Sequence, residues 1–419
     1  MRRQVVIIGA GPGGSASAFY LAKKGLDVLM VDKETWPREK VCGDNWQESV
    51  FPIFREMGIY EEVESFKQAE LKVITMVGPA EDTVDVIAES AEWLVPRRIA
   101  DDIIRRASIK TGVDFIEGFE ATELIVKRGQ VTGVKGFHRG RDVVIEADLV
   151  IVANGSHSML ARQIGIFNND PASVMYAIRG YWDGVEDAVA GNCYWIYDPD
   201  FMPGDKEEIA KYDFMPMWLY TINKEGTQAS IGCCLSEGLL RAHRMSMDEY
   251  FNHWLKTSKV AKKHLRNARC VDGMKGWRLP NAKQILKNYV PGAMVIGDAA
   301  SAPDPCYYYG IAPAMYGGKF CADVAEKAFA ANDFSAEMLS EFHTLLGNMF
   351  NAQWLQYVAI RENILGKREV YRELMQFIRD QPGYPEVYFG ETYGKFMQEV
   401  LKRSDGSFSF GSHLANKES

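Results

Sequence analysis

The sequence predicts an α/β fold in which a discontinuous parallel-sheet domain carries an inserted antiparallel sheet and is followed by a helical C-terminal region. Three observations predict it. A strand, a glycine turn, a helix and a second strand fill the first 32 residues. The buried-strand pattern returns at residues 147–152 and again at 293–296. Between those two returns, residues 175–235 become short, alternating aromatic segments, the mark of an antiparallel sheet with one wet face.

Composition narrows the class. At 419 residues the chain is long enough for two or three domains and needs no disulfide or metal staple. Apolar residues at 47 % and charged residues at 25 % are ordinary for a soluble globular protein and exclude wholesale disorder. The net charge of −8 argues against a general nucleic-acid binder. The seven cysteines are scattered without a Cys-x-x-Cys pair, so neither a disulfide framework nor a metal site is expected, and a reducing cytoplasm is the simplest home. No apolar run approaches the roughly 20 residues of a membrane span. Met1-Arg2-Arg3 leads straight into a strand, unlike a signal peptide.

The elements follow in order. Residues 4–8 read as a buried strand, 15–24 as a helix closed by Gly25, and 27–31 as a second strand ending at Asp32. Residues 96–111 read as a helix and 113–116 as a strand. Residues 121–126 and 131–137 pair around Arg128-Gly129, and 147–152 form a strand stopped by Asn154-Gly155. Residues 198–213 are polar and rich in Pro, Gly and acid, which marks a loop or lid. Residues 248–262 and 313–330 read as helices, and the chain from 335 onward as helical. The tail from residue 403 is Ser- and Gly-rich and is expected to be flexible.

Gly9-x-Gly11-x-x-Gly14 sits at the strand-to-helix turn, where its chemistry is defined. Gly9 permits the tight turn, Gly11 lets backbone approach a pyrophosphate, and Gly14 lets helix pack on strand. The helix start offers free N–H groups to phosphate. Asp32, 18 residues after Gly14, is placed to accept hydrogen bonds from a ribose diol. This fingerprint predicts a dinucleotide but does not separate NAD from FAD.

Later motifs resemble a known superfamily. Pro37-Arg38-Glu39-Lys40-Val41-Cys42-Gly43 looks like the Pro-Arg-x-Lys-x-Cys-Gly stretch of geranylgeranyl reductase-like flavoproteins. Arg97 to Asp101 is similar to their Arg-x-x-hydrophobic-Asp helix start. Gly297-Asp298, with Asp304-Pro305 and Gly310-Ile311, resembles their second FAD motif. The resemblance spans residues 4 to about 325 and takes in aromatic hydroxylases and flavin-dependent halogenases as well. It implies a Rossmann-like FAD-binding domain of the aromatic-hydroxylase type at 1–70, 95–165 and 282–330. An antiparallel-sheet substrate domain would occupy 71–94 and 166–281, a helical region 331–402, and the tail 403–419. It further implies that FAD is held by Gly9, Gly11, Gly13, Gly14, Asp32, Lys33, Arg38, Cys42, Gly43, Arg97, Asn154, Gly155, Asp298, Pro305, Gly310 and Ile311.

The sequence also departs from its relatives. Aromatic hydroxylases usually carry Asp-Gly where this chain has Asn154-Gly155, and no second glycine fingerprint holds a nicotinamide. NAD(P)H or a separate flavin reductase is therefore expected to supply electrons. The halogenase motifs are degraded: Tyr308 replaces a serine near the expected halide site, and Lys72 is the one lysine to nominate as a relay. The reductase motif is only partly matched at residues 218–222, and Trp46 could narrow a lipid tunnel. What remains is oxygen chemistry: hydroxylation of an aromatic or apolar substrate, free or bound to a carrier or peptide, through a flavin C4a-hydroperoxide. The alternative is reduction of a carbon–carbon double bond; halogenation or a non-catalytic maturation role stands behind it. Tyr308, Tyr309 and His157 are the catalytic candidates. Trp46, Trp195, Trp218, Tyr220 and Tyr307 are the substrate-pocket candidates, each with ordinary core packing as its competing role.

Overall fold

The computed structural model describes residues 1–78, 82–168, 170–196, 217–365 and 367–403. The expected lid at 198–213 and all but the first residue of the expected tail lie outside them.

Two sheets organise these residues. The strands of the first half are β1 (Arg2–Ile8), β2 (Val28–Asp32), β3 (Asn45–Gln47), β4 (Ala69–Val77), β5 (Thr83–Leu94), β6 (Asp114–Glu117), β7 (Phe119–Lys127), β8 (Gln130–His138) and β9 (Arg141–Val152). Those of the second half are β10 (Val174–Asp183), β11 (Asn192–Ile196), β12 (Met217–Thr221), β13 (Gln228–Ser236), β14 (Arg269–Cys270), β15 (Lys275–Pro280), β16 (Tyr289–Val290) and β17 (Ala293–Val295). The first sheet runs β16-β17-β9-β1-β2-β6, with the β7–β8 hairpin continuing from β9. Its centre is parallel: β1 lies between β2 and β9, and β17 pairs with β9. Every residue of β2 is buried, as a strand covered on both faces requires. One face packs against the helices Pro12–Lys23, Ile311–Ala331 and Ala336–Ile360, and the other against the β7–β8 hairpin.

The second sheet runs β14-β10-β13-β12-β11-β4-β5-β3, with β15 also on β10. The sequence suggests that one of its faces is wet. Instead, all of β12 and all of β13 except Gln228 are buried. One face is covered by helices including Met247–Thr257, Arg368–Arg379 and Phe389–Arg403. The other faces the first domain and carries Ala177, Cys193, Trp218, Tyr220 and Cys234.

Other boundaries shift for local reasons. The helix expected at 248–262 is two helices, Met247–Thr257 and Lys259–His264. Ser258 divides them, extended and accepting hydrogen bonds from the backbone of Val260 and Ala261 as an N-cap. The helix expected from residue 313 starts at Ile311. The expected domain boundary at 70/71 falls inside β4, and β3, within the expected cofactor domain, pairs with β5 in the second sheet.

Candidate functional site

A cavity of about 430 Å³ lies between the two sheets, at the C-terminal ends of β1 and β2. This is where an open parallel sheet places its ligands. The glycine turn forms one end. Gly9 has φ +106°, and a Cβ there would lie 2.4 Å from the Ala153 carbonyl oxygen. A Cβ at Gly14 would lie 1.8 Å from the Gly9 carbonyl oxygen, so Gly14 serves the packing and does not line the cavity. Gly11 has ordinary backbone angles and open space before it; only Arg38 Nη2 comes within 3.3 Å of a Cβ there. Gly11 also precedes the helix Pro12–Lys23 with no side-chain cap, which leaves that helix's first N–H groups available.

Charged groups surround this turn. Asp32 is buried and accepts hydrogen bonds from the Ala10 and Glu34 backbone N–H groups at 2.7 and 2.8 Å. Burial pushes its carboxyl above the usual range, and those two hydrogen bonds oppose the rise. Asp101 is shared by two arginines: Arg97 binds it in bidentate fashion at 2.7 and 2.9 Å, and Arg38 Nη2 reaches it at 3.0 Å. Arg38 stacks on Trp36, and its Nη1 is buried without a partner. Lys40 lies 4.2 Å from the centre of the Trp277 ring, and burial pushes its ammonium down to about 8.

A second loop, which starts beside the glycine turn, is strained. Gly297 has φ +62° and leads into a 3-10 turn carrying Asp298; Ser301 and Tyr308 are left-handed at φ 56° and 60°. Such conformations cost energy and persist only where surroundings impose them. Asp304 imposes this one. Its buried carboxylate accepts from the N–H groups of Cys306, Tyr307 and Tyr309 at 2.8, 2.7 and 2.7 Å. Burial nevertheless pushes its carboxyl up to about 6. The three tyrosines that follow all reach the cavity. Tyr309 accepts a hydrogen bond from Asn45 Nδ2 at 3.3 Å and bonds to Tyr220; burial keeps both phenols well above their usual range.

The cavity therefore brings together Gly9, Gly11, Gly13, Asp32, Lys33, Arg38, Cys42, Gly43 and Arg97 with Asn154, Gly155, Asp298, Gly310 and Ile311. It also receives His157, Tyr307, Tyr308, Tyr309, Trp218 and Tyr220. His157 meets the edge of Trp277 at 5.1 Å, and burial with nearby Arg278 and Lys40 lowers its imidazole below the usual range.

Four expected residues stay outside. Gly14 is in the packing, as described. Pro305 turns its carbonyl to Arg361 Nη1 at 2.5 Å. Trp46 is fully buried among Phe54 and its neighbours, with its indole N–H on the Val95 carbonyl, because strand alternation turns it away from the cavity-lining Asn45. Trp195 stacks behind Tyr307 at 5.2 Å. Sequence reasoning missed Arg179, Cys234 and Leu279, which line the second-sheet wall. It left Lys40 out of the cofactor-holding set. A dinucleotide fits this arrangement: Gly11 keeps its approach open, Asp32 faces in, and Arg38 Nη1 awaits an acceptor.

Comparison with known proteins agrees with this geometry. Residues 2–229 match the family described as FAD binding domain. A digeranylgeranylglycerophospholipid reductase of Methanococcoides burtonii is 28 % identical over 81 % of this chain and 79 % of its own length. A 1H-pyrrole-2-carbonyl-[peptidyl-carrier protein] chlorinase of Pseudomonas fluorescens is 26 % identical over 95 % of this chain and 91 % of its own. In structure, a geranylgeranyl bacteriochlorophyll reductase-like protein from Thermoplasma acidophilum superposes with a TM-score of 0.81 at 21 % identity, covering 97 % of both chains. A myxobacterial chondrochloren halogenase gives 0.71 at 17 %, covering 96 % of this chain and 97 % of its own.

Proposed function

The chain belongs to the FAD binding domain family and is an FAD-dependent oxidoreductase, and on that premise we propose that it reduces carbon–carbon double bonds of a largely apolar substrate. The observation that carries this reading is the hydrogen-bonded Tyr309–Tyr220 pair on the cavity wall. FAD, when bound and reduced, supplies a hydride. A hydride added to one alkene carbon leaves its neighbour in need of a proton. The Tyr309 phenol, raised by burial, keeps its proton at neutral pH and is held in place by Asn45. Asp304 fixes the backbone that presents it. The apolar wall of Ala177, Leu279 and Cys234 orients a hydrocarbon and excludes water.

The similarity of several curated digeranylgeranylglycerophospholipid reductases supports reduction over the hydroxylation that the sequence first favours. None of the relatives named above is a hydroxylase. Halogenation is less favoured: Tyr308 puts a phenol on the cavity, and of the lysines that line it among the described residues, Lys33 and Lys40, Lys40 is held over the Trp277 ring. NAD(P)H or a separate flavin reductase supplies the electrons in this reading. None of the seven cysteines is in a disulfide, which supports a reducing cytoplasm as its home. No helix among the described residues is long and apolar enough to cross a membrane.

The test is anaerobic. Dithionite-reduced holoprotein mixed with geranylgeraniol should return to the oxidised flavin spectrum and yield a product two mass units heavier per bond reduced. A reduced protein unmoved by the alkene, yet giving a hydroxylated product on admission of oxygen, would replace this reading with the hydroxylase one. Tyr309→Phe should slow anaerobic reoxidation about 10²-fold or more, the usual contribution of a positioned proton donor.

A further inference from the structure

Within the reductase reading, on which this inference rests, a carboxylate outside the cavity acts on the proton donor. Asn45 on β3 pairs with Leu94 on β5, and Glu92, two residues before Leu94, projects from the same face. Asn45 Nδ2 donates to Glu92 Oε2 at 2.5 Å and to Tyr309 Oη at 3.3 Å. One amide nitrogen thus gives both of its hydrogens to two oxygens that accept them. Asn45 and Tyr309 line the cavity; Glu92 does not.

The amide is held this way round at a cost. Asn45 is only 6 % exposed, and its Oδ1 is buried without a hydrogen-bond partner. A buried acceptor left unmet is unfavourable. Turning the amide over would aim Oδ1 at the Glu92 carboxylate, acceptor against acceptor, so the charge on Glu92 excludes the other orientation. Burial pushes the Glu92 carboxyl up, and hydrogen bonds from Asn45 and Gln47 oppose that push. Cys193, Tyr220, Tyr309 and Tyr357 also face it, and none of them is a cation. Among the described residues no lysine or arginine pairs with it.

The consequence falls on Tyr309. With its oxygen accepting from Asn45, its own hydrogen is left for Tyr220, its partner on the wall, and for the cavity. We infer that Glu92 is a positioning residue for proton transfer: through Asn45 it fixes Tyr309 as a donor toward the substrate. In that step the Tyr309 O–H bond breaks as a C–H bond forms on the alkene carbon beside the one that takes the hydride. The electron pair stays on the phenolate oxygen, where the Asn45 N–H stabilises it, and water returns the proton afterwards.

The experiment follows anaerobic reoxidation of dithionite-reduced holoprotein by geranylgeraniol in a double-mutant cycle. Glu92→Gln offers Asn45 either a donor or an acceptor and no longer enforces one orientation. It should slow the saturated rate about tenfold and leave the half-saturating alkene concentration unchanged. In the Tyr309→Phe background the same change should slow the rate less than about twofold, because it acts through the phenol. A second readout needs no turnover. In protein made with fluorotyrosine, the fluorine resonance that Tyr309→Phe removes should shift on Glu92→Gln. Equal slowing in both backgrounds, no slowing in either, or an unmoved fluorine resonance overturns the inference. Should Glu92→Gln fail to fold, Glu92→Asp, which draws the charge back from Asn45 by one methylene, takes its place in both measurements. A wild-type protein that reduces no alkene removes the reductase reading, and the fluorine resonance then decides the positioning by itself.

Discussion

Replacing Asp304 by Asn tests how the tyrosine loop is held. The carboxyl is wholly buried and pushed from an ordinary 3.8 up to about 6. The sign follows from that direction. Below pH 3.8 the group is neutral both folded and unfolded, and its contribution is fully present. As pH rises through about 6, the unfolded chain ionises at no cost while the folded chain ionises against burial, so stability is lost. The 2.2 pH units between these values, at 1.36 kcal/mol each, amount to about 3 kcal/mol. Asn stays neutral at every pH and avoids this loss. An unfolding entropy of about 2.1 cal/mol/K per residue over 419 residues converts 3 kcal/mol into a midpoint change of about 3 °C. Thermal melts of both proteins from pH 4 to pH 8 should show Asp304→Asn gaining about 3 °C on the wild type across that range. A difference that stays constant, or a wild type that gains with pH, would refute the argument. The same variant should be a poorer enzyme. A single amide oxygen replaces only one of two carboxylate oxygens, so it keeps the Cys306 and Tyr307 N–H groups or the Tyr309 N–H, but not all three. Stability and function move in opposite directions here because the ionised carboxylate serves the loop, not the fold.

Further outcomes follow from the cradle and the core. Gly11→Val should abolish FAD binding, seen as loss of the 450 nm absorbance of the purified protein, whereas Gly11→Ala should retain most of it, since its Cβ meets only the tip of Arg38. Gly14→Ala should yield little folded protein on expression, because its Cβ would overlap backbone. FAD affinity should weaken between pH 7 and 9.5 as Lys40, held near 8, loses its charge; calorimetric titrations of Lys40→Gln should show no such trend. Trp354, 1 % exposed in the helix Ala336–Ile360, should cost about 3–5 kcal/mol on truncation to Ala, a fall of roughly 4 °C in thermal midpoint.

The cofactor cradle was the most legible part of the sequence, because its signature is contiguous: strand, glycine turn, helix and second strand follow one another, even though the partners that Gly9 and Gly13 meet, Ala153 and Ala314, come from far along the chain. The tyrosine loop was visible for the same reason. Arg179 was not. An arginine in an alternating strand reads as a residue facing water, and nothing nearby in the chain says that Cys42, 137 residues earlier, offers its carbonyl as a lid. Trp46 failed differently. A strand of three residues carries no visible alternation, so its side of the sheet became apparent only from the pairing with β5. The helix Phe389–Arg403 lies in a stretch readable as helical, but its place on the second sheet is set by long-range contacts: Tyr393, Phe396 and Met397 bury against that sheet, and Tyr388 bridges Ile87 across 301 positions.

The interleaving has a consequence for synthesis. The cradle needs Gly9 to Gly14, then Ala153 at the end of β9, and then Gly297 and Ala314 beside them. During translation β1 emerges some 140 residues before its partner β9, and three quarters of the chain precede the loop that closes the site. Flavin loading is therefore a late event, and the nascent β1–β2 pair must wait with one edge unpaired.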